Sequence, residues 1–423
     1  MFFKHRLCVI LLWGVAVIAL FCTYQTFYRR KPSYNENEFP VRERRLETQR
    51  GETLQEEEEV HKGETILNST LYRRSHNENK TPVSERRLET PKEEASQEEE
   101  TLHKREASQK HPALSKDCYV YKDAIARNTC CRMHDYMADP SRLLTCLRRD
   151  LEEAKRTRSA GFSREGGGRW IIAGDSRLRF FFFGIIRRLA GPRLLYRYTK
   201  GNGKKWRSVD HLLQQKAPYI FREDMEIKHL DAPEMRVVFY WDARLQRLAK
   251  DLHWWLKYDS RRPVRLIIST GTHYMCNSKD VFKKEGRAAA SGKFRKFLSR
   301  TWNKLYSLGK MIPLTFHFID YFQEKRVYPE LQHVWHNENV DYYNSVLKSK
   351  LSSSSSSLIP WDSNVPLSGA YHNKCSADPR VSDDLAWRCN DPVHMGFMVI
   401  DQYWNMFLND ACNRYFSFGE DYC

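Results

Sequence analysis

The sequence predicts an α/β fold built on a mainly parallel sheet, and three observations point to it. From Trp170 onward, short apolar runs alternate with segments of helical periodicity. The first apolar run stops at Gly174-Asp175, and a helix-like segment starts at once. The alternation persists to a late helical segment that begins just after His394.

Taken in order, Trp170 to Ala173 reads as a buried strand. Arg177 to Leu189 reads as a helix with Leu178, Phe181, Phe182, Ile185, Ile186 and Leu189 inward. Arg236 to Tyr240 is a second strand and Leu245 to Leu256 a second helix. Val264 to Thr270 is a third strand, closed by Gly271-Thr272. Lys293 to Leu308 is a helix, Pro313 to Phe318 a fourth strand and Asp341 to Leu351 another helix. A serine run, Ser352 to Ser357, precedes a short fifth strand at Leu358 to Trp361. Met395 to Phe407 is the last helix. Sites in such sheets gather at the C-terminal ends of the strands, where Ser176, Gly271 and Thr272 fall.

The N-terminal third reads differently. Leu7 to Tyr24 is uncharged and mostly apolar. A helix of that length rises about 27 Å, close to the hydrocarbon thickness of a bilayer. No small-x-small cleavage site follows, so one uncleaved transmembrane anchor is expected rather than a signal peptide. Lys4 and Arg6 precede it, and Arg29, Arg30 and Lys31 come after it, which by charge alone puts the C-terminal side in the cytoplasm. Two features argue the reverse: the glycosylation acceptors at Asn68 and Asn79, and nine cysteines beyond the anchor. The expectation is a type II orientation with the C-terminal mass in the lumen. Residues 31–116 are rich in Glu, Lys, Arg, Ser and Thr and read as a disordered stalk. It holds a duplication: Glu43-Arg44-Arg45-Leu46-Glu47-Thr48 recurs as Glu85-Arg86-Arg87-Leu88-Glu89-Thr90. The expected organisation is a tip and anchor over 1–30, a stalk over 31–116 and one folded domain over 117–423.

The formal net charge is +17, and it is unevenly placed. Residues 1–116 carry 20 basic and 19 acidic side chains, whereas residues 151–300 carry 34 and 15. The positive field therefore belongs to the segment around Ser176. It suits an anionic substrate or donor, such as an acidic glycan or a phosphorylated acyl carrier; a solvated surface without a partner is the alternative. No nucleic-acid partner is expected in a lumen. Cys118, Cys130, Cys131 and Cys146 form one group and Cys375, Cys389, Cys412 and Cys423 another. Four bridges with Cys276 free fit the odd total, the connectivity staying open. No cysteine pair has the spacing of a zinc ribbon, and no metal site is expected; His333 and His336 have metal-like spacing but read more readily as part of a surface loop or helix.

The candidate chemistry rests on two short motifs. Ser176, at a strand exit and a helix start, has its hydroxyl beside the free N–H groups of a helix N-terminus, which can stabilise an oxyanion. A serine needs a base to take its proton, and a carboxylate commonly fixes that base's tautomer. Asp391-Pro392-Val393-His394 can supply both, with Asp391 on Nδ1 and Nε2 facing the serine. Each residue also has a plainer reading, as a helix cap or its neighbour. Gly-x-Ser-x-Gly and the P-loop are absent from the sequence, which argues against an ordinary α/β-hydrolase elbow and a nucleotide site.

The Gly-Asp-Ser start and Asp-x-x-His finish resemble the SGNH/GDSL hydrolase superfamily. The longer run Gly174-Asp175-Ser176-Arg177-Leu178-Arg179 resembles the luminal catalytic domain of the sialate O-acetyltransferases and related PC-esterase-like proteins. Val238-Phe239-Tyr240-Trp241 and Leu266 to Thr272 resemble internal strands of that domain, so the likeness covers roughly Gly168 to Phe407. It implies a three-layer, flavodoxin-like sandwich in which Ser176 is the nucleophile, His394 the base and Asp391 its orienter. The Ser176 N–H would contribute to the oxyanion hole. Many family members complete that hole with an asparagine in Gly-x-Asn. Here the matching place reads Gly271-Thr272-His273, so Gly271 or Thr272 would serve, with Asn277 a distant candidate. By family match Arg179 is the anion contact, while Trp241 is expected in the core and His273 is as readily structural as functional.

The resemblance implies serine-dependent O-acetylation of glycan hydroxyls by a single-pass Golgi membrane protein, through an acyl-serine. Acetyl-CoA is a candidate acyl donor, with no cofactor held by the protein. The sialate enzymes resemble a fusion of this domain to a multi-span membrane region, whereas no later apolar span is present here. A membrane partner delivering the acyl group, or hydrolysis in place of transfer, is therefore also open. A carbohydrate or lipid esterase and an inactive glycan-binding or structural membrane protein are the alternatives.

Overall fold

The computed structural model describes residues 111–157, 168–199, 205–213, 223–258, 260, 262–352, 358–378 and 384–423, all within one compact unit of the chain. The expected anchor, most of the expected stalk, and Asn68 and Asn79 lie outside them. Among the described residues no helix is long and apolar enough to cross a membrane.

A small hairpin comes first: β1 (Tyr119–Lys122) pairs antiparallel with β2 (Ile125–Asn128), and helix α1 (Pro140–Thr157) comes next. Then come β3 (Arg169–Gly174), α2 (Ser176–Leu189), β4 (Leu194–Tyr198), β5 (Arg207–Ser208), α3 (Val209–Leu213), β6 (Met225–His229) and β7 (Arg236–Trp241). After them lie α4 (Gln246–Lys257), β8 (Arg265–Ile268), α5 (Thr272–Cys276), α6 (Lys279–Ala290), α7 (Gly292–Gly309) and β9 (Leu314–His317). The chain closes with α8 (Asn337–Ser352), β10 (Ile359–Trp361), α9 (Asn364–Ala377) and α10 (Phe397–Cys412).

The main sheet has the order β10-β9-β8-β3-β7-β6-β4-β5. β10, β9, β8, β3 and β7 run parallel; β6, β4 and β5 extend the sheet antiparallel. The five parallel strands coincide with the five apolar runs of the sequence. Helices cover both faces, and strand alternation divides the core accordingly. Trp170 and Ile172 of β3 pack with α2, α10 and α1 on one side. Ile171 and Ala173 pack with α4, α7 and α8 on the other.

Helices α2 and α10 lock together through an aromatic pair. Trp404 stacks on Phe181 with ring centroids 4.0 Å apart and 7° between planes. Its indole N–H donates to the Phe181 carbonyl at 2.6 Å.

Cysteines pair as 118–130, 131–423, 146–412 and 375–389, and Cys276 is free. Two of the bridges cross between the sequence groups, because the C-terminal end of α10 and the tail pack beside α1 and the hairpin. Composition predicts a stalk as far as residue 116, but order begins earlier. Ala113 and Leu114 are fully buried, and the Leu114 carbonyl accepts from Asp362 N at 3.2 Å and from Ser363 N at 3.1 Å. The polar composition around it hides this short apolar anchor.

Candidate active site

Ser176 is placed by a glycine and an aspartate. At Gly174 a β-carbon would come within 2.9 Å of the Ser269 carbonyl and 3.0 Å of Leu178, so only glycine fits where β3 leaves the sheet beside the exit of β8. Asp175 then caps α2: its carboxylate accepts from the Arg177 N–H at 3.0 Å. Ser176 is the first residue of that helix, half-buried, with its own N–H at the helix end. The chain leaves β3 for one face of the sheet and β8 for the other, which makes this the topological switch point of the sheet.

The second half of the site comes from the loop before α10. Asp391 uses one oxygen to accept from Val393 N at 2.9 Å and His394 N at 3.0 Å, closing the turn. Its other oxygen accepts from His394 Nδ1 at 2.9 Å. That tautomer leaves Nε2 as an acceptor, and the Ser176 hydroxyl donates to it at 2.7 Å. Burial opposes the Asp391 charge, but His394 and Arg388 beside it outweigh burial and hold the carboxyl well below its ordinary range. Hydroxyl, imidazole and carboxylate thus form one relay across 218 residues of chain.

Gly396 keeps this loop tight. A β-carbon there would meet the Ala386 carbonyl oxygen at 1.9 Å, and the Gly396 N–H donates to the Tyr371 hydroxyl at 3.2 Å. The Phe180 ring lies 4.8 Å from the His394 ring and backs it from α2.

The remaining sequence candidates fall around this relay. Gly271 has φ 138°, a conformation only glycine adopts readily, and a β-carbon would sit 2.1 Å from Ile319. It starts the α5 turn in the loop after β8, with buried Thr272 next. Asn277 lies at the far end of that short helix. Arg179 is buried, its guanidinium 5.1 Å from the Trp241 ring, and His273 meets the same ring edge-on at 6.2 Å. Trp241 is partly buried against the core on the β3 face.

Arg388 has no sequence signal, and Arg177 carries none beyond its place in the Gly174–Arg179 run. Arg177, buried, donates to the Asp320 carbonyl at 2.7 Å and stacks on Phe322. Arg388 donates to Asp391 at 2.6 Å. Among the described residues no cluster of His, Cys, Asp and Glu could hold a metal ion; His333 bonds the Lys279 carbonyl and His336 approaches Glu324.

No protein-family model matches the chain, and a search of curated proteins found no significant match.

Proposed function

We propose that this chain is a serine-dependent O-acyltransferase with an SGNH-like, flavodoxin-like catalytic domain, acting on glycan hydroxyls in the Golgi lumen. The single observation that carries this reading is the relay from Ser176 through His394 to Asp391, at 2.7 Å and 2.9 Å. The strand order supports it as well. In chain order the five parallel strands run 2-1-3-4-5, and Ser176 stands at the switch point between strands 1 and 3. Four disulfides fit an oxidising lumen, with the anchor and stalk as expected from the sequence.

The chemistry comes from the geometry. The Ser176 oxygen attacks the carbonyl carbon of an acyl ester or thioester such as acetyl-CoA while His394 Nε2 takes the hydroxyl proton. Asp391 stabilises the imidazolium through Nδ1. The negative oxygen of the tetrahedral intermediate faces the start of α2, where the Ser176 N–H, with Gly271 or Thr272 from the β8 exit, would donate to it. Collapse expels the leaving group, which takes the proton from His394, and an acyl-Ser176 remains. A sugar hydroxyl then gives its proton to His394 and attacks the acyl carbon; the acyl–Ser176 bond breaks, the serine oxygen takes the proton back from His394, and the sugar ester leaves. Water in that role would give an esterase on the same residues. Arg179 stands by as the candidate anion contact, and a membrane partner could bring the donor.

Labelling tests this directly. A serine-directed fluorophosphonate should label the purified protein, and Ser176→Ala and His394→Ala should abolish it; labelling that survives Ser176→Ala rejects the reading. Labelled acetyl-CoA, offered with and without a glycan acceptor, separates transfer from hydrolysis. A protein that neither labels nor turns over would be a binding or structural one.

A further inference from the structure

We infer that Arg388 is a positioning residue for the His394–Asp391 pair: its guanidinium shares the carboxylate oxygen that receives His394 Nδ1, and so helps fix the direction of the imidazole. The inference rests on the reading of Ser176 and His394 as nucleophile and base. The Arg388 Nη2 donates to Asp391 Oδ2 at 2.6 Å, and His394 Nδ1 donates to the same atom at 2.9 Å. The carboxylate therefore sits between two cationic or potentially cationic groups. The turn N–H groups of Val393 and His394 already hold Oδ1, and the guanidinium adds a charged hold on Oδ2, the oxygen that meets the imidazole.

The position of Arg388 is itself imposed. Its backbone adopts φ 48°, in the left-handed region that a long side chain rarely occupies. Strain of this kind persists only where the surroundings over-determine it. Here the Arg388 N–H donates to the Asp384 carbonyl at 2.7 Å, and the next residue, Cys389, is bridged to Cys375 on α9. The guanidinium also lies 4.6 Å from the Phe180 ring, whose own contact is the His394 ring at 4.8 Å. One side chain thus touches the orienting carboxylate and the aromatic ring that backs the base.

The test uses the full-length protein with Arg388→Met and Arg388→Lys. Methionine keeps most of the aliphatic stem but removes the charge and the guanidinium's contact with Phe180; lysine restores a charge. We expect fluorophosphonate labelling of Arg388→Met to slow by about 10–100-fold, the range that hydrogen bonds to charged groups are worth. Arg388→Lys should recover part of that rate. A wild-type rate in Arg388→Met overturns the inference. So does a slow rate that Arg388→Lys leaves unchanged with the His394 Nδ1–H signal unmoved, which would mark a merely structural role. If the wild-type protein does not label at all, the reading of Ser176 fails separately. The ring-nitrogen resonances of selectively ¹⁵N-labelled His394 then decide: a shifted Nδ1–H signal in Arg388→Met keeps the positioning role, and an unchanged one ends it.

Discussion

Gly184 on α2 lies against Trp404 on α10, where a β-carbon on the glycine would come within 2.9 Å of the indole and 2.6 Å of Ile400. This notch lets the two helices approach closely. Ser176 opens α2, and His394 lies just before α10, so the helix pair sets the distance between hydroxyl and imidazole.

Gly184→Ala should therefore couple stability to rate. Overpacking a tight core contact costs about 1–3 kcal/mol. Because the extra methyl pushes α10 away from α2, the fluorophosphonate labelling rate should fall even under conditions where circular dichroism shows the variant fully folded. A variant that loses stability but labels at the wild-type rate would show that the loop before α10, and not the helix contact, holds the base in place.

Asp391→Asn should leave the fold intact and remove most of the reactivity. An amide offers Nδ1 a donor as readily as an acceptor, which allows the wrong tautomer, and the imidazolium loses its counter-charge. The comparable loss in a serine protease triad is about 10⁴-fold in rate. Labelling rates at saturating probe, measured beside Ser176→Ala, check this; a loss under tenfold would remove Asp391 from the orienting role.

How each element is buried decides how legible it is in the sequence. The five parallel strands are covered on both faces, so each is a near-continuous apolar run, as in Trp170-Ile171-Ile172-Ala173. The antiparallel extension escapes because its exposed face is paved with charge. Arg197 and Arg236 bind buried Glu226 there, and Arg197 and Lys228 lie over Trp206, so β4 and β6 are short, broken by charge, and lack the continuous apolar run that marks the parallel strands. Helix α9 escapes for the opposite reason. Asn364, Ser368 and His372 are buried along with Leu367 and Tyr371, leaving no apolar stripe. At the site, Ser176 and the Asp391–His394 pair are legible as short motifs at element boundaries. Arg388 is not, because a left-handed backbone and a shared carboxylate oxygen have no signature in one chain.

Asp150 should govern stability without touching the site. It is buried and accepts from Trp170 Nε1 at 2.7 Å, from Arg265 at 3.1 Å and from the Tyr415 hydroxyl at 2.7 Å. Burial raises its carboxyl, but Arg265 and its other partners outweigh that and lower it. Arg265 is equally buried and begins β8, at the end of the sheet opposite Ser176. Asp150→Ala leaves that guanidinium without its carboxylate, and breaking such a pair costs about 3–5 kcal/mol. The denaturation midpoint should fall accordingly while the labelling rate of the folded protein stays at the wild-type value.

His372 on α9 should give the fold a pH dependence of its own. Its imidazole is buried; Nε2 donates to the Tyr321 carbonyl at 3.0 Å, and burial, with Arg177 adding to it, lowers its pKa from 6.5 to about 4. The folded state therefore binds fewer protons than the unfolded one between those values, so stability rises with pH across the window and is lost as pH falls through it. A displacement of that size corresponds to about 3 kcal/mol between pH 7 and pH 4. His317, fully buried beneath the site and also lowered by burial, adds in the same direction. Replacing His372 with asparagine removes the titrating group. Urea unfolding of wild type and His372→Asn at pH 7, 6, 5 and 4 should show the wild type losing stability more steeply, with the two curves converging or crossing toward pH 4. Parallel curves would mean that the imidazole is as readily protonated in the folded chain as in the unfolded one.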